Sequence, residues 1–132
     1  MGRVKSRRCV SLILQPKIAI PKFPISVPEP FVRQLLDHAM SRTFAVRSRE
    51  LWSGTRGRPA AAFARQVAMY LAHVAFGLSL TEVGHVFARD RTTVAHACSL
   101  IEDLRDDLTF DRSLELLEGV LRFLAPSRRH SA

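Results

Sequence analysis

Five polar residues in succession, Arg89-Asp-Arg-Thr-Thr93, separate two stretches that carry apolar side chains at helical spacing. Guanidinium and hydroxyl groups donate hydrogen bonds to phosphates and to the acceptor edges of bases, so this run has the chemistry of nucleic-acid contact. Arg91 is a candidate base reader, because a guanidinium can donate two hydrogen bonds to guanine O6 and N7. Arg89, earlier in the run, is better placed for a phosphate.

The stretches on either side predict two helices joined by a tight turn. Ser79 or Thr81 begins the first helix, whose inner face is apolar. Ala88 and Arg89 form the turn, and Asp90 is the predicted N-cap of the second helix. This arrangement is typical of a helix-turn-helix, in which the first residues of the second helix enter the major groove. Two helices of an ordinary bundle carry the same apolar pattern, so the spacing alone leaves both interpretations open.

Helical spacing of apolar residues also predicts further helical segments and no strand. These segments are 30–40, 46–52, 60–76 and a last helix that Asp111 caps and that runs to Pro126. The predicted inner faces of the last two helices include Val94, Ala97, Ile101, Leu104, Leu108, Leu114, Leu117, Leu121 and Leu124. As an alternative to a position in the core, Phe123 or Leu124 could contact a partner. The predicted fold is all-α, a small helical bundle that contains a helix-turn-helix.

The net charge of +8 favours a polyanionic partner, a nucleic acid first and an anionic membrane surface second. Residues 1–28 contain six basic side chains, four prolines and no acid, and we expect an extended or disordered tail there. Residues 29–126 form the predicted domain, and residues 127–132 form a second tail. Within the domain the sign of the charge changes, from six arginines in 42–65 to seven acids in 102–118.

The histidines and cysteines match no catalytic or metal-binding pattern. Cys9 and Cys98 suggest no disulfide framework, which fits a reducing cytoplasm. The pair His96-x-Cys98 matches no familiar zinc spacing. No apolar run is long enough to be a membrane span. We therefore predict a protein that is not an enzyme, takes no cofactor and no metal, and does not bind through a membrane anchor.

Three segments carry a resemblance to a known family. They are Arg65-Gln-Val-Ala-Met-Tyr-Leu-Ala72, Gly77-Leu-Ser-Leu-Thr-Glu-Val-Gly84 and Phe87-Ala-Arg-Asp-Arg-Thr-Thr-Val-Ala-His-Ala97. In this order and spacing they resemble the C-terminal DNA-binding domain of DnaA, the bacterial chromosomal replication initiator. The resemblance is densest over residues 65–105 and weaker over 31–125. It implies sequence-specific binding of double-stranded DNA, in the regulation of replication initiation or transcription, by a cytoplasmic protein associated with the nucleoid.

The resemblance also implies roles for individual residues. The residues that match the family's DNA-contacting positions in the turn and recognition helix are Arg89, Asp90, Arg91, Thr92, Thr93 and His96. Arg65 and Gln66 match the pair that opens the family's long helix, and we expect Arg65 near the DNA backbone. Arg56 and Arg58 fall near the family's arginine that inserts into the minor groove, and the resemblance does not decide between them.

Two departures from the family pattern bear on function. The family's turn usually reads Phe-Gly-x-Arg-Asp-His, whereas Phe87-Ala-Arg-Asp-Arg91 is one residue shorter and places arginine where the family has histidine. We therefore expect a preferred site that differs from the standard DnaA site. The sequence also contains no G-x-x-x-x-G-K-[ST] phosphate loop, so we expect these 132 residues to bind no ATP.

Two other function classes remain open from the sequence. One is a helical adaptor that keeps the fold but has lost DNA reading. The other is an RNA-binding or membrane-surface protein driven by the basic tail. Salt dependence separates the first from a DNA binder, because phosphate contacts weaken steeply as salt rises.

Overall fold

The computed structural model describes residues 28–125, and this part of the chain is all-α, as the sequence predicts. Its helices are α1 (Glu29–Phe44), α2 (Ser48–Leu51), α3 (Pro59–Val74), α4 (Leu80–Phe87), α5 (Arg91–Leu104) and α6 (Leu108–Leu124). The predicted tails, apart from Pro28, lie outside the described residues. The long helix predicted over 60–76 corresponds to α3, which begins at Pro59 because proline fits the first position of a helix.

Helix α3 is the centre of the bundle and is apolar on nearly every side. Val67, Tyr70 and Leu71 are completely buried, and six alanines allow neighbouring helices to approach closely. Helices α1, α2, α4 and α5 all pack against α3. A helix that is apolar all round must be covered by such neighbours. The central position of α3 thus fixes where the helix-turn-helix, α4 and α5, is held.

The start of α4 is defined by a reciprocal pair of hydrogen bonds. The Glu82 backbone N–H donates to Ser79 Oγ at 3.1 Å, and the Ser79 backbone N–H donates to Glu82 Oε1 at 2.8 Å. This capping box satisfies two amides that have no partner within the helix. Ser79, rather than Thr81, is therefore the N-cap.

The turn between α4 and α5 is very close. Ala88 has a left-handed backbone (φ 57, ψ 47), and the Arg89 N–H donates to Gly84 O at 2.9 Å. A Cβ added to Gly84 would lie 2.5 Å from Arg89 O, so only glycine fits there. Asp90 occupies the N-cap position of α5 as predicted, but its carboxylate accepts no hydrogen bond from the helix amides.

The prediction that Asp111 caps the last helix is wrong. Asp107 is the N-cap, because its Oδ1 accepts from the Thr109 N–H at 2.9 Å and the Phe110 N–H at 3.1 Å. Asp111 lies one turn further on, and its Oδ1 accepts from Arg105 Nε at 2.5 Å. An aspartate four residues earlier thus satisfies the free amides and leaves Asp111 for an ion pair.

The inward positions predicted for Leu104, Leu108 and Leu124 are also wrong. These side chains are 42%, 66% and 48% exposed, respectively. Leu104 ends α5 and Leu108 begins α6, so both flank the connection between the two helices and face outward. Leu114 and Leu121, which share the opposite face of α6, are buried as predicted.

A buried polar cluster fastens α6 to α3 and α5. Arg105 Nη1 donates to Tyr70 Oη and to Glu118 Oε2, both at 2.7 Å, and Tyr70 Oη donates to Glu102 Oε2 at 2.6 Å. Burial opposes the charge of Arg105, but the carboxylates of Asp111 and Glu118 outweigh it and raise the arginine pKa. A buried pair of this kind is strongly destabilised when one partner is removed.

Candidate nucleic-acid interface

The outer face of α5 carries exposed polar side chains at helical spacing. Thr92, His96 and Ser99 are exposed and follow the i, i+4, i+7 pattern of one face, opposite the buried Val94 and Ile101. Ser99 was not among the predicted contacts, although the same spacing indicates it. In the first turn of α5, Arg91 and Thr93 are also exposed.

The amino end of α5 suits an anionic ligand. The Thr93 and Val94 N–H groups donate to Asp90 O, but no side chain caps the first-turn amides, and the helix dipole places partial positive charge there. The exposed face becomes acidic at Asp103, eleven residues after Thr92 and therefore about 16 Å along the axis. The basic side chain of Arg91 thus lies at the amino end of this face and the acidic side chain of Asp103 at its carboxyl end.

Arg89 connects the turn of the helix-turn-helix to the loop before α3. Its Nη1 donates to Phe87 O and its Nη2 donates to Ser53 O, both at 3.2 Å. Arg89 as a whole is half-buried. One arginine thereby positions the loop 53–58 beside the start of α5.

The two loop arginines differ in their partners. Arg58 Nη2 lies 2.7 Å from Glu50 Oε1, and Arg47 Nε lies 3.0 Å from Glu50 Oε2. These hydrogen bonds, that of Arg58 first, lower the pKa of Glu50 to about 2. Arg56 is exposed and forms no ion pair with any carboxylate in residues 28–125. Arg56 is therefore the loop arginine with an uncommitted charge.

Arg65 lies beneath this loop and not on the surface. Its side chain is 5% exposed, and its N–H groups donate to Leu51 O at 2.9 Å, Glu50 O at 2.7 Å and Arg56 O at 3.5 Å. The guanidinium of Arg65 thus donates to three backbone carbonyls. The resemblance to the family had led us to expect it near the DNA backbone. Gln66, its neighbour, is half-buried.

The charges of Arg56 and Arg89 lie close enough to Arg65 to affect its pKa. Burial lowers the pKa of Arg65, and the positive charges of Arg89 and Arg56 lower it further. Like charges held together in this way favour a bound anion. The neighbourhood of Arg56 and Arg89 is therefore positively charged.

Helix α1 supports the helix-turn-helix from the other side. Arg33 Nη1 donates to Val86 O at 3.0 Å, and its guanidinium lies 4.1 Å from the ring centroid of Trp52. Trp52 Nε1 in turn donates to Asp37 Oδ1 at 3.0 Å. The end of α4 is therefore connected to α1 as well as to α3.

The described part of the chain contains no group of three or more His, Cys, Asp or Glu side chains arranged to hold a metal ion. Cys98 is buried at 1% exposure, on the core face of α5. Between residues 28 and 125, no helix combines the length and the apolar character required to cross a membrane.

Comparison with known proteins supplies the family. The family described as the bacterial dnaA protein helix-turn-helix matches residues 34–101, about half of the chain. The chain belongs to this DnaA helix-turn-helix family. The matched range contains α3, α4, most of α5 and the loop 53–58, so the helix-turn-helix of the family coincides with α4 and α5.

Individual relatives agree with this assignment. The chain is 43% identical over 88 residues to the chromosomal replication initiator protein DnaA of Bartonella quintana, covering 65% of this chain and 18% of that protein. It is 35% identical over 85 residues to the DnaA of Lachnoclostridium phytofermentans, covering 63% and 18%. For the DnaA of Synechococcus the identity is 33% over 107 residues, covering 80% and 23%. The chain spans about a fifth of the length of these relatives.

Proposed function

We propose that this protein binds double-stranded DNA in a sequence-specific manner and acts in the regulation of replication initiation or transcription, in the cytoplasm at the nucleoid. The observation that carries the proposal is the cluster at the amino end of α5. There, exposed Arg91, Thr92 and Thr93 stand beside a loop that carries the uncommitted charge of Arg56. Nothing in this arrangement requires a cofactor, and we assign no catalytic role to it.

In the proposed complex, two elements reach two grooves. The first turns of α5 enter the major groove, with Arg91, Thr92 and His96 directed to the duplex. Arg56 reaches the adjacent minor groove, while Arg58 stays paired with Glu50. Arg89 contacts a phosphate with its solvent-facing edge, a contact that adds affinity without sequence information.

We assign Arg65 a positioning role in this complex. Its three carbonyl bonds hold the Leu51 end of α2 and the Arg56 backbone in fixed positions. In this proposal Arg65 does not contact DNA. It supports the loop that carries Arg56. Asp90 and Gln66 border the surface, and Thr93 is exposed for a phosphate contact.

Arg91 is the proposed determinant of specificity. A bidentate pair with guanine contributes roughly 1–3 kcal/mol of discrimination against other bases. Substitution of Arg91 by alanine should therefore relax the preference at one position, and Arg91→His should move it toward that of DnaA. The experiment is a selection of duplexes from a random library with the wild type, Arg91→Ala and Arg112→Ala. Arg112→Ala removes the same charge from the exposed face of α6 and should return the wild-type motif.

The same selection, together with binding measurements at several salt concentrations and with RNA and vesicles, decides between the function classes. A single enriched motif whose affinity falls steeply with salt supports the proposal. No enrichment, with weak and salt-insensitive binding, would favour a helical adaptor. Tighter binding of single-stranded RNA or of anionic vesicles than of any duplex would favour the class driven by the basic tail. An identical motif from wild type and Arg91→Ala would remove Arg91 from the reading surface.

A further inference from the structure

Helix α6 carries an exposed apolar surface that neither the fold nor the DNA interface uses. Leu116, Val120, Phe123 and Leu124 are 64%, 48%, 85% and 48% exposed. Their i, i+4, i+7, i+8 spacing places them on one side of the helix, away from the buried Leu114. We call these four residues the α6 stripe. Single exposed leucines are ordinary, but four large apolar side chains together indicate a contact surface.

The electrostatic surroundings of the α6 stripe limit what can cover it. From residue 102 through the α6 stripe to residue 124, the chain contains seven acids against Arg105, Arg112 and Arg122, a balance of −4. Most of the exposed acids lie in residues 103–107, at the start of this range. The recognition surface, in contrast, begins at Arg91, and the fourteen residues of α5 extend about 20 Å from that end to the acidic end. A phosphate backbone or an anionic bilayer is repelled here. The fitting occupant is apolar and basic.

Residues 1–27 of the same chain have this composition. They contain six basic side chains and no acid, which is a balance of +6 against the −4 of residues 102–124. Their apolar side chains include Val10, Leu12, Ile13, Leu14, Ile18, Ile20, Phe23, Ile25 and Val27. A segment of this kind supplies both the apolar contacts and the positive charges that the surface lacks.

The length of the segment permits the contact. Twenty-seven residues can extend to roughly 90 Å, whereas the seventeen residues of α6 span only about 25 Å. The segment joins the bundle at Pro28, immediately before α1. Every point of so small a domain is therefore within its reach.

We propose that residues 1–27 dock on the α6 stripe of their own chain, with their apolar side chains on Phe123 and its neighbours and their basic side chains toward the acidic end of the bundle. In this state the basic segment is held away from the recognition helix. The proposal does not depend on the DNA-binding function, because it rests only on the surface of α6 and on the composition of the segment.

Cys9 provides a probe within the segment. A nitroxide attached to Cys9 of the full chain broadens amide signals of residues that it approaches, and Cys98 is only 1% exposed and is protected from labelling. The variant Cys9→Ser, treated in the same way, checks that protection. We expect selective loss of amide intensity over α6 around Leu116 to Leu124, and little loss over the first turns of α5.

Two variants test the apolar contact. Phe123→Ser should restore the α6 intensities, and it should fold because the ring is 85% exposed. Leu108→Ser is the control, because it removes a 66% exposed leucine from the far end of the same helix and should leave the broadening unchanged. Leu116→Ser should repeat the effect of Phe123→Ser.

The remaining outcomes overturn the proposal. Uniform or absent broadening over α6 in the wild type would show that the segment does not dock there. Broadening that survives both Phe123→Ser and Leu116→Ser would exclude the α6 stripe as its site. A mixed sample tests for contact between two copies of the chain. It combines chains that carry the nitroxide but no isotope with isotope-labelled chains that carry no nitroxide. Broadening over α6 in that sample would show that the segment docks on a second copy and not on its own chain.

Discussion

The indole of Trp52 stacks on the ring of Phe87, with centroids 4.7 Å apart and planes inclined by 27°. Phe87 is the last residue of α4, so this contact connects the end of that helix to the segment that follows α2. Trp52 also contacts Arg33 and donates to Asp37, which attaches the same point to α1. The position of the turn before the recognition helix is therefore determined by residues distant in the sequence.

Removal of this stacking should weaken the whole domain. Trp52→Leu loses the ring contact with Phe87 and the cation–π contact with Arg33, and we expect a loss of about 1–3 kcal/mol in the free energy of unfolding. Urea unfolding followed by circular dichroism measures it. Asp37→Asn keeps an oxygen acceptor for Trp52 Nε1 and should cost much less. Equal losses in the two variants would contradict the importance of the stacking.

Gly84→Ala should disrupt the turn of the helix-turn-helix. The added Cβ would meet the backbone oxygen of Arg89 at 2.5 Å, and a backbone atom cannot rotate away as a side chain can. We expect a loss of roughly 1–3 kcal/mol in unfolding free energy, together with weaker DNA binding. Gly119→Ala is the matched control, because its Cβ meets nothing within 4 Å and it should stabilise α6 by up to about 1 kcal/mol. A Gly84→Ala protein as stable as the wild type would refute the close approach.

Ala88→Gly should stabilise the protein. Ala88 adopts φ 57 and ψ 47 at the end of α4, a conformation that costs an alanine roughly 1 kcal/mol more than a glycine. The greater flexibility of glycine in the unfolded chain offsets part of this gain, so a net increase of about 0.5 kcal/mol is expected. Ala60→Gly, on the exposed side of α3, should lower stability instead. Thermal unfolding of the two variants should therefore shift in opposite directions.

Arg56 and Arg58 should differ in their effect on DNA binding. Arg56→Ala removes an uncommitted charge, so the slope of log affinity against log salt should fall by roughly one phosphate contact. Arg58→Ala removes a charge that Glu50 already neutralises, so the slope should change little. Fluorescence anisotropy at several salt concentrations measures both. If Arg58→Ala changed the slope more than Arg56→Ala, the assignment of the minor-groove arginine would be reversed.

His73 should make the stability depend on pH. It is 5% exposed, its Nδ1 lies 2.7 Å from Leu78 O, and burial lowers its pKa below the ordinary value of 6.5. Nδ1 must carry the proton because the carbonyl only accepts, and a second proton on Nε2 would find no acceptor among the described residues. The unfolded chain therefore takes up a proton first as the pH falls.

The free energy of unfolding should accordingly decrease as the pH falls below 6.5, until the lower pKa of the folded state is reached. His73→Gln should remove this contribution, since glutamine does not titrate. Urea titrations between about pH 5.5 and pH 7.5, an interval of about one unit either side of the ordinary histidine pKa, provide the comparison.

Much of this architecture could be predicted from apolar spacing and from end signals. The helix-turn-helix could be predicted from the apolar faces of two helices and from three further residues. Ser79 precedes the first helix, Gly84 lies within it, and Asp90 precedes the second helix. The burial of Arg65 could not be predicted in this way, because nothing in the local sequence distinguishes an arginine with three backbone carbonyl partners from an arginine on the surface. The choice between Asp107 and Asp111 depended on Arg105, a partner that local sequence does not indicate.

The outward positions of Leu104 and Leu108 show a related limit. Both leucines continue the apolar periodicity of their helices, yet each lies at a helix end where no neighbouring helix covers it. Periodicity predicts which face of a helix is apolar, whereas burial depends on how far its neighbours extend. The same reason explains why Leu124, which the spacing places on the inner face of α6, belongs instead to the exposed α6 stripe.

The bridge made by Arg89, between Phe87 O and Ser53 O, has a consequence for the length of the DNA site. It connects the loop of Arg56 to the end of α4 before any ligand arrives, and so restricts the distance between Arg56 and the start of α5. A reader on a flexible arm tolerates a change of spacing, whereas a rigid one does not. Under the proposed function, one base pair inserted between the two contacted positions adds about 3.4 Å of rise and rotates one position relative to the other by roughly a tenth of a helical turn. The protein can then keep one contact or the other, but not both.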